Sequence, residues 1–596
     1  MVSSKLVNAR LLVILPVLLA LLAGVACGGA AEAPAAPQEK APAAAPGKKA
    51  ESAKAAPAAT AVPAQAVTGL PGAGEKVTVL VVDVQNKIMF PQLAGGPDLK
   101  YQRLFNEDLV AGGGGSVIKP GPIKAWEMSP DGKTWVITVA DGIKFHNGEI
   151  MDVDDVFYSL MTERGGGTGA GEKLLEIGCF EPRNTAYFKY TVSLEKGPGP
   201  NQITYEQGQA APNFPFNFSQ NNQDVKAMVM PVDYMRLPEI ADNCFAGYEK
   251  APIGAGPFKY VSHNLGVEYK FERFDDYYYT PENGYDEDRR AKVEFLDLKV
   301  VLEHPTRVAA LASGEADLVE ANINMLKQIE NVKGSQIVWQ DESSHTWFIN
   351  VDCWTKDLWC WTKEARQATQ YAVDWKTIVD NLYGRGANLK GWVWVTENAM
   401  GYSPELDVSP YDPAKAKELW AQAGLTDGVE IDIWTWEAGD LPFLPKVSEL
   451  VASYWKDNLG IKVKVNVGDQ QSIKKAGNNR LLAGSFLLRT NEARYDGTSI
   501  TRGGYTNPNT AWRIVSDPAV EPWKSFADIA NTAIGDVNTE TRAQSFTDAY
   551  KLLREEAHWY GPFSSNIPWG VGPRVKSYEP WILVPYFTAP WTIELK

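Results

Sequence analysis

Two periods of hydrophobicity run through the chain. Residues 76–84 (Lys-Val-Thr-Val-Leu-Val-Val-Asp-Val) are apolar almost without interruption and predict a buried strand. From Thr134 to Val139 apolar and polar positions alternate after an Asp131-Gly132 turn, a strand with Trp135, Ile137 and Val139 on one face. The spacing then becomes helical. Val153, Val156, Phe157, Leu160 and Met161 share one side, and Asp152 with Asp155 has the form of a capping box. Downstream, Glu364 to Leu382 reads as a helical region. Asp412-Pro413 opens another helix, with Ala416, Leu419, Trp420 and Ala423 on one side and Gly424 as its stop. Val429, Ile431 and Ile433 alternate. A helix then carries Leu444, Val447, Leu450, Val451 and Tyr454 to Gly460, and Ile461, Val463, Val465 and Val467 alternate again. Helix–strand–helix–strand implies parallel pairing and an α/β layer. A last helix is predicted over 541–556, and no fixed period marks a repeat.

The first 75 residues follow neither period. Lys5 and Arg10 precede an apolar stretch, Leu11 to Ala26, that is broken by Pro16 and short for a spanning helix. Leu22-Ala23-Gly24-Val25-Ala26-Cys27 follows and resembles the lipobox of bacterial lipoproteins, with Gly24 in place of the commoner Leu. The resemblance implies removal of residues 1–26 and a diacylglycerol on Cys27. Residues 27–75 are mostly Ala, Pro, Lys, Glu and Gly. They bury too little apolar area to offset their ordering entropy and read as a semi-extended tether. The folded body is then expected outside the cytoplasmic membrane, in the periplasm or at the cell surface.

Composition narrows the function. The 596 residues carry a formal charge of −15, which argues against nucleic acid as a partner, since phosphates are met by excess Lys and Arg. Aromatic residues make up 11% of the chain, a supply of flat faces for cores or ligand walls. Beyond Cys27 there remain Cys179, Cys244, Cys353 and Cys360. In an exported protein they permit three pairings, Cys179–Cys244 with Cys353–Cys360 being the local one, or four free thiols. The loop Gly166–Lys173 mimics a phosphate loop but has Glu172 where Lys must follow the last Gly. The five His form no zinc motif, and no Gly-x-Ser-x-Gly elbow occurs. No cofactor or metal is indicated. Asp154/Asp155 and Asp275/Asp276 read as capping and surface charge rather than as acid–base pairs.

Several stretches are more specific. Ala125-Trp126-Glu127 leads through Asp131-Gly132-Lys133-Thr134 to Asp141-Gly142-Ile143-Lys144-Phe145-His146-Asn147-Gly148 and Asp154-Asp155-Val156-Phe157. There follow Pro252-Ile253-Gly254-Ala255-Gly256-Pro257-Phe258, Glu272-Arg273-Phe274-Asp275-Asp276-Tyr277-Tyr278 and Ala312-Ser313-Gly314-Glu315-Ala316-Asp317. Arg366-x-Ala368-x-x-Tyr371-Ala372-Val373-Asp374, Tyr411-Asp412-Pro413 and Leu459-Gly460-Ile461-Lys462-Val463 complete the series. In this order they resemble the extracellular solute-binding proteins of family 5, the peptide/nickel type of ABC importer, over roughly residues 76–596. The resemblance implies an α/β fold of two lobes, periplasmic-binding-protein-like (class II, large type), with an extra subdomain in the first. The implied parts are a first lobe at 76–345 with its subdomain at about 101–225, a second lobe at 346–550, and a return to the first over 551–596. Crossing strands are expected near 340–351 and near the last helix. It implies a monomer that closes on a solute and presents it to ABC permease subunits, with no catalysis.

In peptide-binding members a Trp-x-x-Asp-Tyr stretch supplies an Asp for the ligand's amine. Its counterpart here is Asn491-Glu492-Ala493-Arg494-Tyr495-Asp496-Gly497-Thr498, with Arg494 at the Asp position. A guanidinium favours a carboxylate or phosphate; a shift of one residue would instead offer Asp496. Eight Trp (347, 354, 359, 361, 392, 394, 434 and 436) cluster in the expected second lobe, and indole faces stack on sugars and cations. Arg494, Tyr495, Asp496, Trp347, Asn350, Trp436 and Glu107 are therefore the candidate solute contacts. An oligosaccharide receptor is the alternative within the family. A secreted glycan-acting hydrolase using Asp496 and Glu492 is the alternative outside it.

Overall fold

The computed structural model describes residues 72–596 except 73, 85–86, 88, 95, 165–189, 223–226, 244, 351–352, 354–355, 391–394, 396, 408–409, 438–440, 493–494, 502–520, 558 and 582–585. Cys27, the tether up to residue 71, the Gly166–Lys173 loop, Cys179, Cys244, Arg494, Trp354, Trp392 and Trp394 lie outside the described residues. The described residues belong to one compact unit.

The apolar run at 76–84 forms β1 (Lys76–Val81), and α1 (Leu99–Phe105) follows it. Next comes a separate antiparallel sheet of β2 (Ile123–Met128), β3 (Thr134–Val139), β4 (Thr191–Lys196) and β5 (Gln202–Gln207), in the order β2-β3-β5-β4. On β3, Trp135, Ile137 and Val139 face the core with Val156, Phe157, Leu160 and Met161 of α2 (Val153–Arg164), as their periods predict. The capping box is present. Asp152 Oδ1 accepts the Asp154 and Asp155 amides, and Asp155 Oδ2 accepts the Asp152 amide at 2.8 Å.

The chain then returns to the first sheet through β6 (Phe258–Asn264), β7 (Glu268–Arg273), β8 (Phe295–Val300) and β9 (Leu318–Glu320). β1 lies parallel to both β8 and β9. The long strand β10 (Gln336–Asn350) leads out of this lobe. The expected helix at 364–382 is two helices, α3 (Lys363–Tyr371) and α4 (Trp375–Leu382). The break lies at Asp374, whose carboxylate takes the Thr377 amide at 3.0 Å and so starts a new helix rather than continuing the old one.

α5 (Pro413–Gln422), β11 (Glu430–Thr435), α6 (Leu444–Leu459), β12 (Lys462–Val467) and β13 (Phe486–Glu492) form the α/β layer read from the sequence. β11 is parallel to β12 and β13. α5 starts where Asp412 accepts the Lys415 amide, and α6 stops at Gly460, whose φ is +68°. Phe486 and Leu488 of β13 point into one core, Leu487 into the other, so the layer is covered on both faces. α7 (Trp523–Gly535) and α8 (Thr539–Glu556) cover the second face, and β14 (Phe563–Val571), wholly buried, returns to the first sheet.

The strand order β12-β11-β13-β10-β14-β9-β1-β8-β7-β6 thus holds two parallel ladders joined by antiparallel β10 and β14. Two lobes result, and β10 and β14 are common to both. Pairing between them breaks between Gln340 and Ser344, where the chain passes from one lobe to the other. Gln340, fully buried beside this break, receives the Trp569 indole N–H and donates to the Trp581 carbonyl. Among the described residues no helix is long and apolar enough to cross a membrane.

Candidate functional site

In open parallel ladders the carboxyl ends of the strands face the ligand crevice. β13 ends at Glu492, and Tyr495 and Asp496 come shortly after, before a short helix at Gly497–Thr501. Tyr495 is buried in an apolar cluster with Leu99, Phe216, Met228 and Tyr586, residues of the first lobe, its subdomain and the C-terminal return. The Asn213 amide of the subdomain donates to Asp496 Oδ2 at 3.1 Å. From α8, Arg542 Nη2 reaches Asp496 Oδ1 at 3.5 Å and Thr498 Oγ1 at 3.3 Å. Exposure of Asn213, Asp496 and Arg542 is 6%, 4% and 5%. Burial holds the Arg542 guanidinium below its usual pKa, and the Asp496 carboxylate opposes that shift.

Backbones also touch across the crevice. The Ser116 amide donates to the Asn398 carbonyl at 3.1 Å. Gly115 has φ +60°, and a Cβ there would stand 2.5 Å from Asn398 Cβ; a Cβ on Gly132 would meet Val537 at 2.6 Å. The lobes are therefore closed on one another at several points.

Glu107 is held inside the first lobe by the motifs that identify the fold. Gly254 and Gly256 lie flat on the end of α1. A Cβ on Gly254 would be 2.0 Å from the Phe105 carbonyl oxygen, and the Gly256 amide donates to that oxygen at 2.9 Å. His146 locks the glycines from the other side. Its Nε2–H donates to the Gly256 carbonyl at 2.9 Å and its Nδ1 accepts the Gly254 amide at 3.4 Å. The ring is neutral, and burial pushes its pKa down to about 4. Held behind this clamp, Glu107 accepts the Tyr277 hydroxyl at 2.8 Å. Burial lifts its pKa to about 8, against the opposing pull of Tyr277 and Arg289, so it keeps its proton at neutral pH. Arg289 is sandwiched at 4.1 Å from the Tyr279 ring and 4.4 Å from that of Trp581.

Of the other candidates, Trp436 follows β11 and is buried against Val395, Leu487 and Trp523, with Lys474 Nζ 5.9 Å from its ring. Trp347 and Asn350 stand on β10 opposite Arg489 and Phe486 of β13; their side chains lie outside the described residues. Trp359 packs on Trp420 and Phe486, its indole donating to the Gly484 carbonyl at 2.7 Å, which is core packing. The structure thus joins Tyr495 and Asp496 at the closure and buries Glu107 within the first lobe against Tyr277.

Asn213 and Arg542 were not singled out by sequence. Asn213 lies 283 positions from its partner, and an Asn before a Phe-Pro pair reads only as a helix start. A cavity of about 540 Å³ beside Gly72, Arg273, Arg290 and Glu594 is a poor rival site. Its charges already pair internally, Arg273 with Asp275 at 2.7 Å and Arg290 with Asp288 at 2.6 Å. It lies within the first lobe and its C-terminal return, away from the closure.

Residues 117–510 match the family described as bacterial extracellular solute-binding proteins, family 5 Middle. Heme-binding protein A of Haemophilus influenzae is 24% identical over 507 residues, 80% of this chain and 84% of that one. The ABC transporter-associated periplasmic binding protein DppA of Helicobacter pylori, solved with the peptide STSA, superimposes with a TM-score of 0.68 at 18% identity. The match covers 88% of this chain and 98% of that one. AgaA of Agrobacterium tumefaciens R10, solved with agropinic acid, gives 0.65 at 19% identity over 87% and 99%.

Proposed function

The chain belongs to the bacterial extracellular solute-binding proteins, family 5, and we propose that it is the lipid-anchored receptor of an ABC importer, capturing a peptide-like or other mid-sized organic solute that carries an anionic group. The observation that carries this reading is the burial of Tyr495 and Asp496, at the end of the second-lobe ladder, by residues of the first lobe. A crevice that closes this way desolvates whatever it holds, so the solute's polar groups must be matched one by one, and selectivity follows. Arg494 supplies the anion preference, because it occupies the position at which peptide-binding members carry an amine-pairing Asp. In the same reading Trp347 and Asn350, carried on β10, are further solute contacts.

The structures of the Helicobacter protein with a peptide and the Agrobacterium protein with agropinic acid support a solute of this size. The oligosaccharide reading rests on the Trp cluster, of which Trp359 and Trp436 pack into cores. The hydrolase reading needs Asp496 as a free carboxylate, and Asp496 is occupied by Arg542 and Asn213. The protein acts as a monomer, held by Cys27 at the outer face of the cytoplasmic membrane beside the permease subunits.

Mass spectrometry of solute released from the purified full chain tests this directly. Arg494→Ala is expected to weaken binding of the recovered anionic compound by about 2 kcal/mol or more. Unchanged affinity for that compound would remove Arg494 from the site.

A further inference from the structure

We propose that Asn213, Asp496 and Arg542 form a latch that sets how firmly the lobes stay shut, and hence how tightly any solute is held, without reading the solute's chemistry. The inference rests on the reading above that the lobes close on a solute, and it assigns Asp496 to closure instead of to the solute's amine.

The two halves of the latch are preorganised within their own lobes. On the subdomain side, the Asn213 amide nitrogen lies 3.3 Å from Asn217 Oδ1, a contact inside one turn of helix that fixes how the amide points. On the other side, Arg542 orients the Asp496 carboxylate and is itself held by the Thr498 hydroxyl. Opening the lobes leaves both internal contacts in place and, between the two halves of the latch, breaks the 3.1 Å bond from Asn213 to Asp496. That bond has a charged acceptor and is buried, which makes it one of the stronger polar contacts available to a closing interface. Phe216, one turn from Asn213, enters the cluster around Tyr495, so the same short helix at Phe214–Asn217 delivers the polar and the apolar contact together.

Charge explains why the group does not discriminate. A carboxylate already beside a buried guanidinium has little attraction left for a solute's ammonium. Removing Asn213 therefore destabilises the closed form alone. A change confined to the open–closed equilibrium scales every affinity by one common factor.

The test uses the full chain and a defined pool of tri- to pentapeptides. With no peptide present, Asn213→Ala should speed amide exchange in the segment containing Ser116, whose N–H is bonded across the crevice, by about tenfold. Retained peptides should all weaken by a similar factor in unchanged order. Asn213→Ser should act in the same direction. The reversed pair, Asn213→Asp with Asp496→Asn, restores a donor and an acceptor and should recover slow exchange. Exchange and affinities unchanged in Asn213→Ala would overturn the latch, and so would a loss confined to peptides with a free amine. If the wild type retains no peptide but Ser116 exchange still responds, the latch stands and the peptide reading falls.

Discussion

His146 and Glu107 are both buried within the first lobe with displaced pKa values, and they act on stability in opposite directions. The folded-state pKa of His146 is about 4, below the ordinary 6.5, so between these values the unfolded chain binds a proton that the folded one does not. Stability from this residue is present above pH 6.5 and is lost as the pH falls toward 4, by about 3 kcal/mol. For Glu107 the folded value is about 8 against 4.5, so the folded chain keeps the proton longer. Its contribution is complete below pH 4.5 and is lost as the pH rises through 8, by about 5 kcal/mol. Urea unfolding at pH 4.5, 6.5 and 8.5 reads both. Their windows overlap and oppose between pH 4.5 and 6.5, so the variants do the separating. In His146→Gln stability should fall throughout from pH 4.5 to 8.5, and in Glu107→Gln it should rise from pH 4.5 to 6.5 and then level off. A pH profile unchanged by a variant would refute the protonation state assigned to that residue.

At the scale of elements, much was legible before the fold was known, and the reasons are local. The Asp152–Asp155 box, Asp412-Pro413 and the Gly460 stop are written in neighbouring residues, and all three occur where the pattern placed them. The region 364–382, read as helical, is divided at Asp374, a cap residue that competes with the apolar spacing running on from α3 into α4. α7 follows residues with no clear period and was not foreseen. Of the candidate site, the sequence showed the second-lobe segment at Tyr495 and Asp496. It could not show Asn213 or Arg542, because no local pattern records partners 283 and 46 positions away.

The pairing of Cys353 with Cys360 was left open by sequence, and the structure joins them with Cα atoms 5.4 Å apart. The bond closes the loop where β10 enters the second lobe. The Cys360 carbonyl accepts Arg366 Nη1 at 3.0 Å, and Arg366 also pairs with Glu556 at the end of α8, so the crossing strand is tied to the helix that carries Arg542. Replacing both cysteines by Ser should cost about 2 kcal/mol of stability in denaturant unfolding. No change in midpoint would show that the loop is held without the bond.

For the whole molecule, closure needs two parallel ladders that move as bodies about β10 and β14, and the interrupted pairing between Gln340 and Ser344 gives those strands a place to bend. The proposed membrane attachment rests on the first residues alone, apart from the lobes. Cys27→Ser should move the protein from the membrane to the soluble fraction while leaving solute affinity unchanged, and continued membrane retention would refute the anchor. The most direct test of the account is to load the purified full chain with a peptide pool, wash it, release what is bound by denaturation and weigh it. The account predicts that the compounds recovered have the masses of those supplied, held one per chain. Recovery of cleaved fragments, or retention of nothing from the pool and no native solute in the purified protein, would contradict it.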